Sequence, residues 1–140
     1  MLRSQAGGGT LKNNIKTGKA EQTVNVKEFV EQFNLYVAAG QNELDRQIQG
    51  GYCGDLLSDV MANAPVGCVW LTVQAHQNIV KVGLLREMAA IVLTGGQTPD
   101  KETVERASQE GIPILIWPNS AFELAGKLFA AGVINPPSEA

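Results

Sequence analysis

The stretch IVLTGGQTPD, Ile91 to Asp100, runs from apolar residues through Thr94 into Gly95-Gly96 and on to Thr98-Pro99-Asp100. Its opening has the composition of a buried strand. Its close carries helix-start chemistry: Thr98 as the cap, Pro99 at the first position, and Glu102 and Glu105 near the positive end. A strand that enters a helix through two glycines is the repeating joint of an α/β domain. Such a turn is either a cradle for a phosphate or a plain reversal of direction.

A phosphate cradle uses backbone N–H groups, a helix N-terminus and usually a lysine in the loop. The stretch has neither Gly-x-Gly-x-x-Gly nor the Walker pattern. Asp100 and Glu102 would meet the phosphate with two carboxylates, and only Lys101 offsets them. The reading is a glycine turn between strand and helix. Close backbone approach to a ligand or a partner is the alternative.

Working outward, AAIVLT (89–94) follows a helix expected from Asn78 to about Met88, with Ile79, Val82, Gly83 and Met88 on a broad apolar surface. Gly83 costs that helix ~1 kcal/mol relative to alanine, which close approach to a sheet would explain. Upstream, CVWLTV (68–73) is a compact run of β-formers. Before it, Asp55 is the expected cap of a helix bearing Leu56, Leu57, Val60, Met61 and Ala64, closed by Pro65 and Gly67. RQIQGGY (46–52) is a weaker strand, and LYVAA (35–39) is a short one stopped by Gly40. Asn25 with Glu28 resembles a capping box opening a helix through about Phe33. Downstream, Gly111 ends one helix, IPILIW (112–117) is the last strand, and Ser120 with Glu123 opens a final helix. Phe122, Ala125, Leu128 and Phe129 are expected to face the core from it.

These elements predict a single α/β domain, a mainly parallel sheet of about five strands with helices on both faces. Residues 1–22 read as a flexible extension, 23–134 as the domain, and 135–140 as a tail that cannot continue a helix.

Composition bounds the function. The chain has 140 residues, 44% hydrophobic and 18% charged, with a formal net charge of −3. Residues 1–24 carry Arg3, Lys12, Lys16 and Lys19 against Glu21, so the remainder carries −6. An acidic body without a basic stripe speaks against nucleic-acid binding and against an anionic membrane surface. No apolar run approaches the ~20 residues that cross a bilayer, and no secretory signal opens the chain, so a cytoplasmic location is expected. Cys53 and Cys68 lack metal-like spacing and read as free thiols. No metal or cofactor is expected.

The joint also resembles a known family. AAIVLTGGQTPD, with VWLTVQAHQNIVKVGLL before it and EGIPILIWPNSAFELAGKL after it, is similar to the DRTGG domain across roughly residues 24–133. Thr94-Gly95-Gly96 stands at the family's Thr-Gly-Gly, while His76-Gln77 stands where the family has Asp-Arg, removing its arginine. The resemblance implies a regulatory or dimerising module of the kind that accompanies CBS domains in regulated pyrophosphatases. Related domains occur in phosphotransacetylases and at the N-terminus of HPr kinase, and stand-alone members occur in anaerobic bacteria. It implies no catalytic half.

In an open α/β sheet, ligands bind beyond the carboxyl ends of the strands. The residues expected there are Asp55, Gln74, His76, Asn78, Thr94, Gly95, Gly96, Asn119 and Ser120. Hydroxyls, amides and one imidazole suit a small polar ligand better than a polyphosphate. Ordinary capping by Asp55, Asn78 and Ser120 is the competing explanation. Trp70 reads as core, whereas Trp117 at a strand end reads as a stacking surface.

The expected function is a non-catalytic module that binds a small ligand, forms a homodimer, or does both. Two other classes fit the residues. One is an accessory protein docking on a larger metabolic or redox enzyme. The other is a small enzyme using His76 with Asp55 or Ser58.

Overall fold

A computed structural model of the chain describes residues 24–136. The expected extension, 1–22, lies outside them, as do residues 137–140 of the expected tail. Strands β4 (Gly50–Cys53), β5 (Cys68–Thr72), β6 (Ala90–Leu93) and β7 (Ile114–Ile116) are mutually parallel and adjacent in that order. Helices α2 (Leu57–Asn63), α3 (Asn78–Leu85) and α4 (Lys101–Glu110) connect them in turn. Every step goes to the next strand in the same direction, so right-handed crossovers place all three helices on one face. Their Val60, Ile79, Val80, Val82 and Ala107 pack there with Trp70, Ile91, Leu93 and Ile114 of the strands.

The other face needs separate cover, because strand residues alternate between faces. Val69, Leu71, Val92 and Leu115 point to it. Val26 and Phe29 of α1 (Val26–Phe33) and Leu124 and Leu128 of α5 (Ala121–Ala130) close it. Strand β2 (Tyr36–Ala39) joins β7 antiparallel at one edge, with an irregularity between Val37 and Ala39. The expected α/β sheet of five mainly parallel strands, covered on both faces, is therefore the sheet found.

RQIQGGY divides in two. Gln47–Ile48 (β3) pairs antiparallel with Val24–Asn25 (β1) as a separate ribbon, and only Gly50–Cys53 enters the main sheet. Glu28 N–H donates to Asn25 Oδ1 at 2.8 Å and Asn25 N–H to Glu28 Oε1 at 3.0 Å, completing the expected box. Gly83 lies against the sheet as expected: a Cβ there would stand 2.7 Å from Ile112 Cδ1 and 3.0 Å from Ile91 Cδ1. At the far edge of β4, Gly51 N–H donates to Asn135 Oδ1 at 2.7 Å, so the start of the expected tail covers part of an exposed strand edge.

Several helix boundaries move. Helix α3 stops at Leu85 rather than near Met88, because Glu87 takes a left-handed φ of 51° that turns the chain back toward β6. The cap of α4 is Asp100, not Thr98, so Pro99 precedes the helix. Asp100 N–H and the Thr103 hydroxyl both donate to the Ala75 carbonyl, which fixes where the helix can begin. Helix α5 buries Leu124 and Leu128, whereas Phe122 and Phe129, expected in the core, are exposed.

Candidate functional site

Because β4 to β7 run parallel, their four following turns share one edge of the sheet, here the carboxyl edge. Two hydrogen-bonded groups form along it. In the first, Asp55 Oδ1 accepts from the Thr72 hydroxyl at 2.8 Å and from Val73 N–H at 2.9 Å. Gln74 Nε2 donates to the Asp55 carbonyl at 2.9 Å. In the second, Gly95 N–H donates to the Asn119 carbonyl at 2.8 Å. Thr94 N–H donates to the Thr72 carbonyl at 3.0 Å and joins the two groups.

Asp55 was expected to cap α2. The cap is Leu56, with no side-chain hydrogen bond, since the Asp55 carboxylate is drawn to β5 instead. Asn78 does not cap α3 either: it is the first helical residue, and its N–H donates to His76 Nδ1 at 3.2 Å. Ser120 does cap α5, its hydroxyl accepting from Glu123 N–H at 3.2 Å, which is one half of the expected box. Trp117 is no stacking surface. It is 6% exposed, and its indole N–H donates to the Ser120 carbonyl at 3.0 Å. Trp70 is core, as expected, and its indole N–H holds the Gly54 carbonyl at 2.8 Å.

Gly95 and Gly96 take φ of +70° and +84°, so the turn needs both glycines. Nothing crowds them: the nearest atom to a Cβ on Gly96 would be Pro118 O at 4.0 Å. Backbone strain alone should therefore make Gly96→Val cost ~2 kcal/mol, against almost nothing for Gln97→Ala. Equal urea midpoints for the two variants would remove the tight-turn account.

Thr94, immediately before this turn, is 1% exposed. Among the described residues, no hydrogen bond reaches its hydroxyl. Thr72, one strand away, is equally buried, but its hydroxyl donates to Asp55 and accepts from Gln74 N–H at 3.2 Å. Sequence reasoning missed Thr72, because a threonine inside CVWLTV is indistinguishable from any other β-former. Its place at the strand end was the only available signal.

The edge is poor in positive charge. Lys101 stands at the start of α4 between Asp100 and Glu102, and no arginine belongs to the four turns. Among the described residues, no hydrogen bond joins His76 to Asp55 or Ser58. No group of three or more His, Cys, Asp or Glu among them is placed to hold a metal ion. Burial, and then the neighbouring Asp55 carboxylate, push the exposed Cys53 thiol above its ordinary value, which leaves it protonated and a weak nucleophile near neutral pH. Burial pushes the Cys68 thiol up to about 12. Asp59 accepts from the Tyr52 hydroxyl at 2.6 Å and from Asn63 at 2.9 Å, so its carboxylate joins α2 to the end of β4.

A cleft of about 430 Å³ opens at the opposite edge, between Arg46, Gln49, Leu84, Glu87 and Met88, where none of the expected site residues lies. Its one arginine already donates to the Met88 and Gly111 carbonyls and to Glu43. That guanidinium is committed to the protein's own acceptors. The carboxyl edge, with a buried hydroxyl that has no partner among the described residues and a glycine turn open to approach, is the better candidate.

Neither a protein-family model nor a curated protein matches the chain. Among solved structures, the chain is similar to the CBS and DRTGG domains of the regulatory region of a Clostridium perfringens pyrophosphatase, in complex with its activator diadenosine tetraphosphate. The TM-score is 0.62 at 13% identity, over 82% of this chain and 52% of that one. The chain thus spans about half the length of that structure. At this identity the likeness establishes the fold, and the fold agrees with the one implied by the DRTGG resemblance. No described helix is long and apolar enough to cross a membrane.

Proposed function

We propose that the chain is a non-catalytic regulatory module that binds a small neutral or cationic ligand at the carboxyl edge of β4 to β7 and acts as a homodimer. The observation that carries the ligand reading is the Thr94 hydroxyl, buried beside the open Gly95-Gly96 turn and without a hydrogen-bond partner among the described residues. A buried hydroxyl without a partner costs ~1–3 kcal/mol, which a bound polar group would offset. The clostridial region of similar fold binds a dinucleoside polyphosphate, which supports a nucleoside-like ligand here. The phosphates fit this edge poorly, because Asp100 and Glu102 flank its single lysine.

Isothermal calorimetry with adenosine, AMP and ATP tests the ligand class. Adenosine is expected to bind at least as tightly as ATP. Thr94→Val should weaken that binding about tenfold and leave the melting temperature unchanged or raised, since it removes a hydroxyl that no hydrogen bond among the described residues reaches. Affinity that rises with each phosphate and falls in Lys101→Ala would overturn the proposal. So would a turnover that His76→Ala abolishes.

A further inference from the structure

We infer that two copies of this chain pair through the outward face of α5, antiparallel, with the two-fold axis between Ala125 and Gly126. This rests on the proposed homodimer and names its surface. Phe122, Gly126 and Phe129 are spaced i, i+4, i+7 and share one stripe, opposite the stripe of Leu124 and Leu128 that seals the core. Phe122 is 89% exposed and Phe129 67%, more than a helix on a soluble surface ordinarily shows at two aromatic positions of one stripe. Open space lies beyond Gly126, where a Cβ would meet nothing within 4 Å.

The stripe is complementary to itself. An antiparallel pair about that axis sets each Phe122 on the partner's Phe129, twice over, with the glycines at the crossing. Glu123 and Lys127 lie on one flank of the stripe, with Lys127 Nζ 6.0 Å from the Phe33 ring of α1, so the antiparallel register brings opposite charges, not like ones, to that flank. It also lays each helix start against a helix end. The two phenylalanines leave about 300 Å² open per copy, hence about 600 Å² in the pair. With Gly126, Ala130 and the charged flanks the total comes near the ~1,000 Å² at which specific interfaces begin. The association is therefore reversible, with a Phe122–Phe129 pair on either side of the glycine crossing.

Sedimentation equilibrium of the full chain from about 1 to about 200 μM tests this, with dissociation expected in the micromolar range. Phe122→Glu and Phe129→Glu should each weaken the dimer at least tenfold without lowering the melting temperature, because both side chains are exposed. Gly126→Cys in a Cys53→Ser background should form a disulfide-linked dimer on mild oxidation. A monomer at every concentration overturns the inference, as does a dimer indifferent to both glutamates. A glutamate-sensitive dimer that Gly126→Cys does not cross-link overturns the antiparallel register. Calorimetry on the monomeric variant separates the two readings, since ligand binding there stands or falls by itself.

Discussion

Trp70→Ala is expected to lower the unfolding free energy by ~4 kcal/mol, the largest effect of any single substitution considered in this domain. The indole is fully buried among Val60, Ile79 and Ile91 on the face that three helices cover. Its removal leaves a cavity that surrounding helices cannot close, because their positions are set by the crossovers on either side. The indole has a second role: its N–H holds the Gly54 carbonyl and so positions the turn that carries Asp55. Trp70→Phe keeps most of the ring and orphans that carbonyl. It should cost clearly less than the alanine, about 2 kcal/mol, and should loosen the turn. Urea unfolding followed by circular dichroism measures both. Equal costs for the two variants would show that the hydrogen bond, not the volume, dominates.

Arg46→Ala is expected to cost about 3 kcal/mol, although the position lies in a loop with no regular structure. The guanidinium donates to the Met88 carbonyl just before β6 and to the Gly111 carbonyl at the end of α4. It thus pins the β2–β3 loop to two distant parts of the chain. Its ion pair with Glu43 is 3.4 Å long and partly exposed, so Glu43→Ala should cost no more than ~0.5 kcal/mol. Arg46→Lys should recover only part of the loss, since one ammonium cannot reach two diverging carbonyls as a planar fork does. If Glu43→Ala matched Arg46→Ala in thermal denaturation, the ion pair rather than the carbonyls would be the source of stability.

The strands of the main sheet were legible because burial on both faces demands continuous apolar runs, and CVWLTV, AAIVLT and IPILIW are such runs. The α1 start was legible because a capping box is a local contact three residues long. The starts of α3 at Asn78 and α5 at Ser120 were legible too, but those of α2 and α4 were misplaced, because a tertiary hydrogen bond outcompeted a local one. Asp55 has α2 directly after it, yet its carboxylate goes to Thr72 and Val73. Asp100 replaces Thr98 at α4 because the Ala75 carbonyl takes its N–H. Both competing partners lie on other elements, beyond any sequence window.

Helix α5 shows the same limit for packing. Its apolar residues occupy more than one face, so periodicity could not say which of them the sheet would accept. The sheet takes Leu124 and Leu128 and leaves Phe122 and Phe129 outside. Trp117 fails in the opposite sense: a strand-end aromatic looks available for stacking until the Ser120 carbonyl is found against its indole N–H.

By itself, the sequence determined the class of fold, the order of the central strands' segments and the place of the glycine turn, because hydrophobic period and positive-φ glycines are properties of short stretches. Tertiary structure alone decided that β2 runs antiparallel beside β7, that β1 and β3 form a ribbon of their own, and that both Thr72 and Thr94 are buried, Thr72 with two hydrogen-bond partners and Thr94 with none among the described residues. Those outcomes depend on which groups from remote parts of the chain compete for one another's hydrogen bonds and apolar surface, and that competition exists only once the chain has closed on itself.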